Sequence, residues 1–518
     1  EALTLLKAVT EDAGVRGASS DAALIDAYTL IGRIHLTRSR ISAAEQAFAA
    51  ALKLDPQAVQ ALIGNGELFY RSGRNSEALA RFEAATHADA DNVPAKVGVA
   101  KTWLALERMK EAKDLLKALR AAHPGDSLIC YWLGRSEEAL GNKKEAEAAY
   151  SEAIKVGGVK LEVVDTYVAL ARLLSGAGRT DDAAQKLAEA SQKFPELPAL
   201  HRAKGDVALQ TGRYEEARDE FKIALDRDED LGTRFKLGVA LRRMRAFPEA
   251  AAVFDIIAAA DKDYPGLALE RGVMFEETGQ SDKALESYSD ALRKAPDDVD
   301  LKLRVGSTQV IAGHAEQAEA ALREVVKARA SSAEANHFLG RALLAKGTNL
   351  AEAMKYLDAA VNIDGNRAEY HLYVGWSAND AGQPARAETA LKRALELDKG
   401  LGDAYWQRGI LRQKSGEASD ALQDLKTALE KRPSRFEAYA TMAFCYQDLL
   451  RWPEAEAAWR SAIAGNGAVP EWHYRLGKIL ASHGSAAASA PELEQAVKLA
   501  EASDRPAPGW LYDAHLLL

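Results

Sequence analysis

The side chains that most often perform catalysis or bind metal do not form a recognisable group in this chain. There are ten histidines and two cysteines, but no His-Glu-x-x-His or Cys-x-x-Cys spacing that would place ligands around zinc. The segment 64–66, Gly-Asn-Gly, lacks the third glycine of a dinucleotide-binding loop. No serine, cysteine or lysine is flanked by the partners that a nucleophile needs. We therefore predict a protein that is not an enzyme and that uses no cofactor or metal.

The spacing of the large aromatic side chains favours a binding function for this chain. Large rings are costly to expose to water, and they are also the residues that anchor protein partners. We predict that a partner-binding groove is lined by Tyr131, Trp132, Phe235, His337, Phe338, Tyr373, Trp376, Trp406, Phe444 and Tyr474. The alternative for any one of them is that it packs against a neighbouring helix and stiffens the fold.

These residues belong to a unit of about 34 residues that recurs along the chain. In the segment 404–428, a glycine (Gly409) is followed by a turn glycine (Gly416), and then by Ala421 and Leu425. The unit reads as two helices joined by a turn, and no stretch shows the alternation of a strand. Fourteen repeats begin at Ile25, Val59, Val93, Ser127, Val164, Pro198, Leu231, Pro265, Val299, Ala333, Ala368, Gly402, Phe436 and Pro470.

Two positions of the repeat are almost always small. The eighth residue of every first helix is Gly or Ala, and the second helix has an alanine in every repeat but the last, where Ser489 replaces it. A bulky apolar residue follows that alanine four positions later, as in Phe48 and Trp459. We predict that the paired helices cross too closely for a larger side chain. Ser489, followed by Pro491 and Glu492, reads as a capping box that delays the last second helix.

This pattern resembles the tetratricopeptide repeat (TPR) family over essentially the whole chain. The resemblance implies an all-α, right-handed α-solenoid, a superhelix of antiparallel helix pairs with a concave groove. In the family, one side of each first helix lines the groove, here the second, fifth, sixth, ninth, twelfth and thirteenth helical positions. The domain organisation that follows is a partial repeat at 1–16, repeats one to four at 17–160, repeats five to fourteen at 161–503, and a partial repeat at 504–518.

Two binding modes known in the family are not supported by these residues. Binders of chaperone tails hold a terminal carboxylate with a lysine at the fifth position and an asparagine at the ninth, and no repeat here has either. The sugar-transferase branch has an asparagine ladder at the sixth position, and no sixth position here is asparagine. The second position is acidic in six successive repeats, which favours helix-start electrostatics and leaves open an acidic rim for a basic peptide: Asp300, Glu334, Glu369, Asp403, Glu437 and Glu471.

Charge and hydropathy exclude several classes of partner. The net charge is −9 with a pI near 5.7, which argues against nucleic acid and against anionic membranes. No apolar run reaches the roughly 20 residues that span a bilayer, so no direct membrane insertion is expected. Cys130 and Cys445 lie about nine repeats apart, too far for an internal disulfide. The chain lacks an initiator Met, so we expect a fragment whose compartment, cytoplasmic or periplasmic, stays open.

We therefore predict a non-catalytic scaffold that binds a protein, a peptide or a partner helix along its groove. The Ala-rich and Arg-rich composition looks bacterial, and analogy with other bacterial arrays points to an envelope complex for secretion, polysaccharide export, pilus assembly or gliding motility. Two alternatives remain open. One is self-association through the open ends of the solenoid, and the other is a regulatory arm of a larger enzyme.

Overall fold

The computed structural model describes residues 21–158, 160, 163–483, 486–502 and 508–518. Within these residues the chain forms twenty-nine helices and no strand, which confirms the predicted all-α repeat fold. The chain divides into two compact units, Glu1–Asp263 and Tyr264–Leu518. The predicted partial repeat at 1–16 lies outside the described residues.

The first unit contains seven helix pairs, in which an odd-numbered first helix packs against the even-numbered second helix that follows it. The helices are α1 (Asp21–Thr37), α2 (Ile41–Leu54), α3 (Val59–Arg71), α4 (Asn75–Ala88), α5 (Val93–Ala105), α6 (Met109–Ala122), α7 (Ser127–Ala139), α8 (Lys143–Gly157), α9 (Val164–Gly176), α10 (Thr180–Lys193), α11 (Pro198–Gln210), α12 (Tyr214–Arg227), α13 (Leu231–Arg243) and α14 (Phe247–Ala260).

The second unit contains seven further pairs and one additional helix. They are α15 (Leu267–Glu277), α16 (Ser281–Lys294), α17 (Val299–Ile311), α18 (Ala315–Ala328), α19 (Ala333–Lys346), α20 (Leu350–Ile363), α21 (Ala368–Asp380), α22 (Pro384–Leu397), α23 (Gly402–Lys414), α24 (Ala418–Lys431), α25 (Glu437–Asp448), α26 (Trp452–Gly465), α27 (Pro470–His483), α28 (Ala486–Glu501) and α29 (Leu511–Leu517).

First helices begin at the first residue of the repeat in all but three repeats. Those three begin at Asp21, Leu267 and Glu437. The start at Leu267 has a clear local cause, because Gly266 adopts a left-handed conformation with φ of 81° and the preceding Pro265 cannot then open the helix. The spacing of small and bulky residues was thus sufficient to place most helix starts.

The small residue of each first helix forms a notch that receives the bulky residue of the second helix. A Cβ placed on Gly134 would lie 2.5 Å from Cδ1 of Tyr150, and one on Gly409 would lie 2.8 Å from Cδ2 of Leu425. Tyr150 and Leu425 are both fully buried. The predicted close crossing is confirmed, and the residue that demands it is the bulky side chain four positions after the alanine.

The turn between paired helices needs one residue with positive φ, and glycine usually supplies it. Gly416 has φ of 83°, whereas Leu450 takes the equivalent place with φ of 57° and remains 71 % exposed. A non-glycine residue in this conformation costs about 1 kcal/mol. The turn at Leu450 is therefore both strained and apolar.

The predicted delay of the last second helix is wrong. Helix α28 begins at Ala486, and Pro491 lies inside it rather than in its first turn. Ser489 does not cap the helix, because its hydroxyl is buried and donates to the carbonyl oxygen of Gly477 at 2.8 Å. The serine thus keeps the packing position of the alanine that it replaces, and its polar atom is satisfied across the helix pair.

The first helices form the inner layer of each unit. Helices α1, α3 and α5 contact one another in series in the first unit, as do α19, α21 and α23 in the second. In the described residues, successive second helices approach one another much less. The more closely spaced layer of a curved stack is its inside. We therefore use the term inner face for the side of the first helices in each unit that points away from the second helices.

Candidate partner-binding surface

Seven of the ten predicted binding residues lie on the inner face of the second unit. Their helices are α19 for His337 and Phe338, α21 for Tyr373 and Trp376, α23 for Trp406, α25 for Phe444 and α27 for Tyr474. The first five of these side chains form one continuous set of ring contacts. We call that set, His337, Phe338, Tyr373, Trp376 and Trp406, the ring ladder.

His337 is the most enclosed member of the ring ladder, with 1 % of its surface exposed. Its ring centroid lies 5.3 Å from that of Phe338, 4.5 Å from that of Tyr370 and 5.3 Å from that of Tyr373. Neither ring nitrogen has a hydrogen-bond partner among the described residues. Burial lowers the pKa of His337 below its ordinary value, so the ring is neutral at neutral pH.

Arg341 of α19 covers two rings of the ladder and pairs with a carboxylate of the next first helix, α21. Its guanidinium lies 5.0 Å from the ring centre of Phe338 and 4.4 Å from that of Tyr373. Its Nη1 donates to Oε1 of Glu369 at 2.8 Å. The same carboxylate oxygen lies 3.7 Å from Nε2 of His337, too far for a hydrogen bond. Arg341 was absent from the predicted site, although its ninth position placed it on the inner face.

The middle of the ring ladder links α21 to α23. Tyr373 and Trp376 are stacked, with ring centroids 5.5 Å apart and planes 7° apart. Trp376 meets Trp406 edge to face at 5.2 Å, and the planes are at 90°. Arg435 lies 4.6 Å over the ring of Trp406. Such contacts contribute about 1 kcal/mol each beyond simple burial, so the ladder also holds successive repeats together.

A buried amide pair lies beside the two tryptophans and was not predicted. Asn379 is on α21 and Gln407 is on α23, next to Trp406 in sequence. The side-chain nitrogen of Asn379 donates to the Gln407 main-chain oxygen at 2.9 Å and to its Oε1 at 3.0 Å. Both amides are buried. Their positions, twelfth and sixth, were the only signal for them in the sequence.

The structure does not join Phe444 and Tyr474 to the ring ladder by ring contacts among the described residues. Phe444 meets Trp459 of the second helix of its own repeat edge to face at 5.0 Å. Tyr474 stacks on Trp510 at 4.8 Å, and its hydroxyl donates to Asp513. These two rings occupy the inner face, but each packs against a local neighbour.

The predicted binding residues are less exposed to solvent than expected for rings that line an open groove. His337, Trp406 and Tyr474 are buried, and the other seven are half-buried. The reason is that first helices of successive repeats approach closely enough for their rings to contact. The half-buried rings of the second unit that keep accessible surface are Phe338, Tyr373, Trp376 and Phe444.

The row of acidic residues at the second position is largely engaged in ion pairs. The predicted helix-start role is therefore incomplete, because these carboxylates also pair with arginines, within the same helix for Glu471 and beyond it for the others. The pairs are Asp300 with Arg329, Glu369 with Arg341, Asp403 with Arg432 and Arg435, and Glu471 with Arg475. Carboxylates that already face arginines present less negative charge to a partner than an unpaired acidic rim would.

The three predicted residues of the first unit fall into two places. Tyr131 and Trp132 lie on α7 with ring centroids 5.2 Å apart, and Trp132 also meets Tyr70 of α3 at 6.5 Å. Phe235 lies on α13 and contacts Phe254 of its own repeat at 6.3 Å. Phe235 thus extends the packing of its helix pair, whereas Trp132 reaches a ring on a first helix two repeats earlier.

Other chemistry finds no support in the described part of the chain. No group of three His, Cys, Asp or Glu side chains there could hold a metal ion. Cys130 and Cys445 are free and buried, and burial raises the pKa of the Cys445 thiol to about 12, which leaves it unreactive at neutral pH. Among the described helices, none is long and apolar enough to cross a membrane.

Comparison with known proteins identifies a repeat family. The sequence profile described as tetratricopeptide repeat matches residues 29–95, 99–157, 168–231, 235–299, 306–370 and 446–506. These segments together cover more than half of the chain. A search of curated proteins finds no match.

Two solved structures are similar in fold. A chain in the crystal structure of the APC/C hetero-tetramer Cut9–Hcn1 has 14 % identity and a TM-score of 0.43, over 95 % of both chains. A tetratricopeptide repeat protein from Parabacteroides merdae has 15 % identity and a TM-score of 0.38, over 48 % of this chain and 96 % of its own. At this level of similarity neither structure indicates a particular function.

Proposed function

The chain belongs to the tetratricopeptide repeat family, and on that premise we propose that it binds an extended peptide or a partner helix along the inner face of its second unit. Members of the family are typically non-catalytic scaffolds for protein partners, and the repeats support that general role here. The finer proposal assigns the contact to the ring ladder and to Phe444.

The observation that carries the proposal is the continuity of the ring ladder across three successive first helices. From His337 to Trp406, each ring contacts the next at 5.2–5.5 Å. Phe338, Tyr373 and Trp376 remain half-buried at the surface of this set. A continuous apolar strip with rigid rings is the kind of surface that anchors a partner with little loss of side-chain entropy.

The physical gain from covering this strip is substantial. If a partner removed about 60 Å² of apolar surface on each of the three half-buried rings of the strip and on Phe444 nearby, the gain would be about 1.5 kcal/mol per ring. The inner-face arginines that cap the rings, Arg341 and Arg435, are already paired with carboxylates. The strip therefore offers mainly apolar contact, and apolar side chains of the partner should provide most of the affinity.

The proposal is tested by removing two half-buried rings and identifying what co-purifies. The double substitution Trp376→Ala and Phe444→Ala should reduce recovery of the partner at least ten-fold, measured by quantitative mass spectrometry after affinity purification from the native source. Trp406 is unsuitable for this purpose because it is buried and its loss would weaken the fold.

The matched control is Trp472→Ala, which removes a half-buried tryptophan from the third position of α27, outside the inner-face positions. It should leave the set of co-purifying proteins unchanged. If the double substitution keeps its helical content and recovers the same partners as the native protein, the ring ladder is a purely structural feature.

A second candidate function is self-association through helix α29. This helix leaves Tyr512 74 %, Leu516 67 % and Leu518 53 % exposed, an apolar surface that a second copy could cover. Sedimentation analysis over the micromolar range should then show a concentration-dependent dimer that Leu516→Glu abolishes. A single monomeric species at every concentration would exclude this function.

The assignment to a bacterial envelope complex and the attachment to a catalytic domain remain proposals. They rest on composition and on family analogy, and the described contacts add nothing to either. Identification of the co-purifying partner would test the first, and the sequence of the full-length open reading frame would test the second.

A further inference from the structure

Arg135 differs from the other half-buried arginines of the inner faces because no carboxylate lies within ion-pair distance of its guanidinium among the described residues. It occupies the ninth position of α7, and its only hydrogen bond among the described residues runs from Nη1 to the hydroxyl of Tyr131 at 3.2 Å. By comparison, Arg341, at the ninth position of α19, donates to Glu369 at 2.8 Å, and the half-buried Arg408 of α23 makes two hydrogen bonds to Asp424, at 2.8 and 2.6 Å. A guanidinium without a carboxylate in direct contact keeps N–H donors that a ligand carboxylate can use.

The carboxylate nearest in sequence, that of Glu138, pairs with a different arginine. Glu138 lies one turn further along α7, but Arg172 of the next first helix pairs with it at 3.0 Å. The hydroxyl of Tyr150 also donates to it at 2.6 Å. Glu138 is therefore held by two donors and makes no ion pair with Arg135 within 4 Å. The next cation along the inner face, Lys101, is likewise paired, with Glu67.

Aromatic side chains lie beside the guanidinium of Arg135. Arg135 lies 5.9 Å over the ring of Trp132, and its hydrogen-bond partner Tyr131 contacts Trp132 at 5.2 Å. Tyr70 from α3 meets Trp132 edge to face. The site therefore combines one cation that has spare N–H donors with aromatic walls contributed by two first helices.

We propose that Arg135, framed by Tyr70, Tyr131 and Trp132, binds an acidic side chain of a peptide in which that residue is next to an aromatic or apolar one. The inference rests on the proposed scaffold function and names the partner chemistry for the first unit. A carboxylate would accept two parallel hydrogen bonds from the guanidinium. The adjacent apolar side chain would cover the rings, which a simple anion would leave exposed.

A peptide fits this site better than a nucleic acid does. A phosphate backbone needs several cations in succession, whereas the neighbouring inner-face cations Lys101 and Arg172 are already paired. The net charge of −9 also disfavours an extended polyanion. A single unpaired arginine is suited to a single carboxylate.

The test uses two peptides that differ only in charge. The probes are acetyl-Ala-Glu-Phe-Glu-Ala-amide and acetyl-Ala-Gln-Phe-Gln-Ala-amide, titrated into the full chain by calorimetry. Their blocked ends remove any terminal carboxylate. The glutamate peptide should bind about ten-fold more tightly than the glutamine peptide. Arg135→Gln should abolish that difference, and Arg33→Gln, at the same position of α1 but exposed, should preserve it.

Several results would overturn the proposal: equal affinity for the two peptides, no binding of the glutamate peptide at millimolar concentration, or displacement of that peptide by a thymidine oligonucleotide. A stability measurement gives an independent check. Arg135→Met should leave the thermal midpoint unchanged or raise it, whereas Arg408→Met, which removes a paired arginine, should lower it by about 2 °C or more.

An equal drop for the two methionine variants would show that Arg135 is a structural residue and would sink the proposal. None of these measurements depends on the rings of the second unit. Failure at Arg135 is therefore distinguishable from failure of the scaffold function, which the co-purification experiment with Trp376 and Phe444 tests separately.

Discussion

The inner faces of the two units are built from the same repeat but are held together in different ways. In the first unit, ion pairs link successive first helices: Lys101 with Glu67, Arg172 with Glu138, and Lys236 with Asp206. In the second unit, the ring ladder links α19, α21 and α23, and one ion pair, Arg341 with Glu369, accompanies it between α19 and α21. The repeat thus fixes where helices meet, while the side chains at the inner positions decide whether the face is polar or apolar.

Aromatic residues at the bulky position of the second helix are distributed between the units in the opposite way to the rings of the inner face. In the first unit most are aromatic, and in the second most are leucine. The aromatic residues at this position are Phe48, Phe82, Tyr150, Phe221 and Phe254 in the first unit, and the leucines are Leu322, Leu357, Leu391, Leu425 and Leu493 in the second. The notch accepts either type. The helix pairs of the second unit are packed mostly by leucine, and several large rings of that unit lie on its inner face.

The largest expected effect comes from removing one inner-face link in each unit. Trp406→Ala should destabilise helix α23 by about 3 kcal/mol, because a buried ring at the end of the ladder is lost. Lys101→Met should cost about 1 kcal/mol or less, since a partly exposed ion pair contributes little. Native-state hydrogen exchange of α23 and α5 measures both values. Equal losses would show that the two faces are held together equally.

The notch itself should respond differently in the two units. Gly134→Ala should destabilise its helix pair by about 2 kcal/mol, because the ring of Tyr150 is rigid and its hydroxyl is held by Glu138. Gly409→Ala should change stability by about 0.5 kcal/mol or less, since Leu425 can adjust and alanine favours the helix. Denaturation with urea compares the two variants. A larger loss at Gly409 would contradict this account of the notch.

Acid should weaken the second unit through His337. Burial lowers the pKa of His337 in the folded state, so the unfolded chain binds the proton first as the pH falls below about 6.5. The stability contributed by the neutral ring is present above that pH and is lost below it, by up to about 1.4 kcal/mol per pH unit. The charged groups nearby are Arg341 on α19 and Glu369 on α21, which pair with each other.

His337→Leu should flatten the loss of stability between about pH 7 and about pH 5, measured by thermal unfolding of the second-unit helices. The matched control is His87→Leu, which removes an exposed histidine from α4 of the first unit and should leave the thermal unfolding of the second-unit helices unchanged. An unchanged profile in His337→Leu would show that His337 gains compensating contacts when it is protonated.

The smallest expected effect is that of salt. Raising the NaCl concentration from about 0.05 M to about 1 M should weaken the ion pairs of the first unit by about 0.5 kcal/mol in total. The ring ladder should be unaffected or slightly strengthened. Hydrogen exchange of α5 and α9 compared with α21 and α23 measures the difference, which should be a smaller salt response in α21 and α23 rather than none, because Glu369 and Asp403 also form ion pairs there. Equal salt dependence in the two units would remove the distinction between a polar and an apolar inner face.

The regular features of the fold were predictable because they follow from local sterics. Glycine at positions such as Gly409, alanine at positions such as Ala421 and a bulky residue four positions later specify a close helix crossing wherever they occur. The start at Leu267 and the unbroken helix α28 were not predictable, since they depend on the conformation of Gly266 and on the contact of Ser489 with Gly477.

The sequence predicted which helix face carries the candidate residues, but it did not predict how deeply they are buried or which charges pair beside them. Helical positions assigned Trp376 and Trp406 to one face, and the structure shows them in contact. Periodicity gives no distance between successive repeats, so it could not show that Trp406 would be buried. It also gave no sign that Arg135 would lack a carboxylate, because the pairing of Glu138 with Arg172 depends on side-chain geometry.

The central claim, that the ring ladder is a binding surface, is tested most directly by photo-cross-linking. A benzophenone amino acid is placed at residue 376, and in a second preparation at residue 472, and each is irradiated in extract from the native source. We predict a cross-linked partner at 376 and none at 472, with peptide contacts mapped by mass spectrometry. No cross-link at 376, or the same products at both positions, would contradict the account.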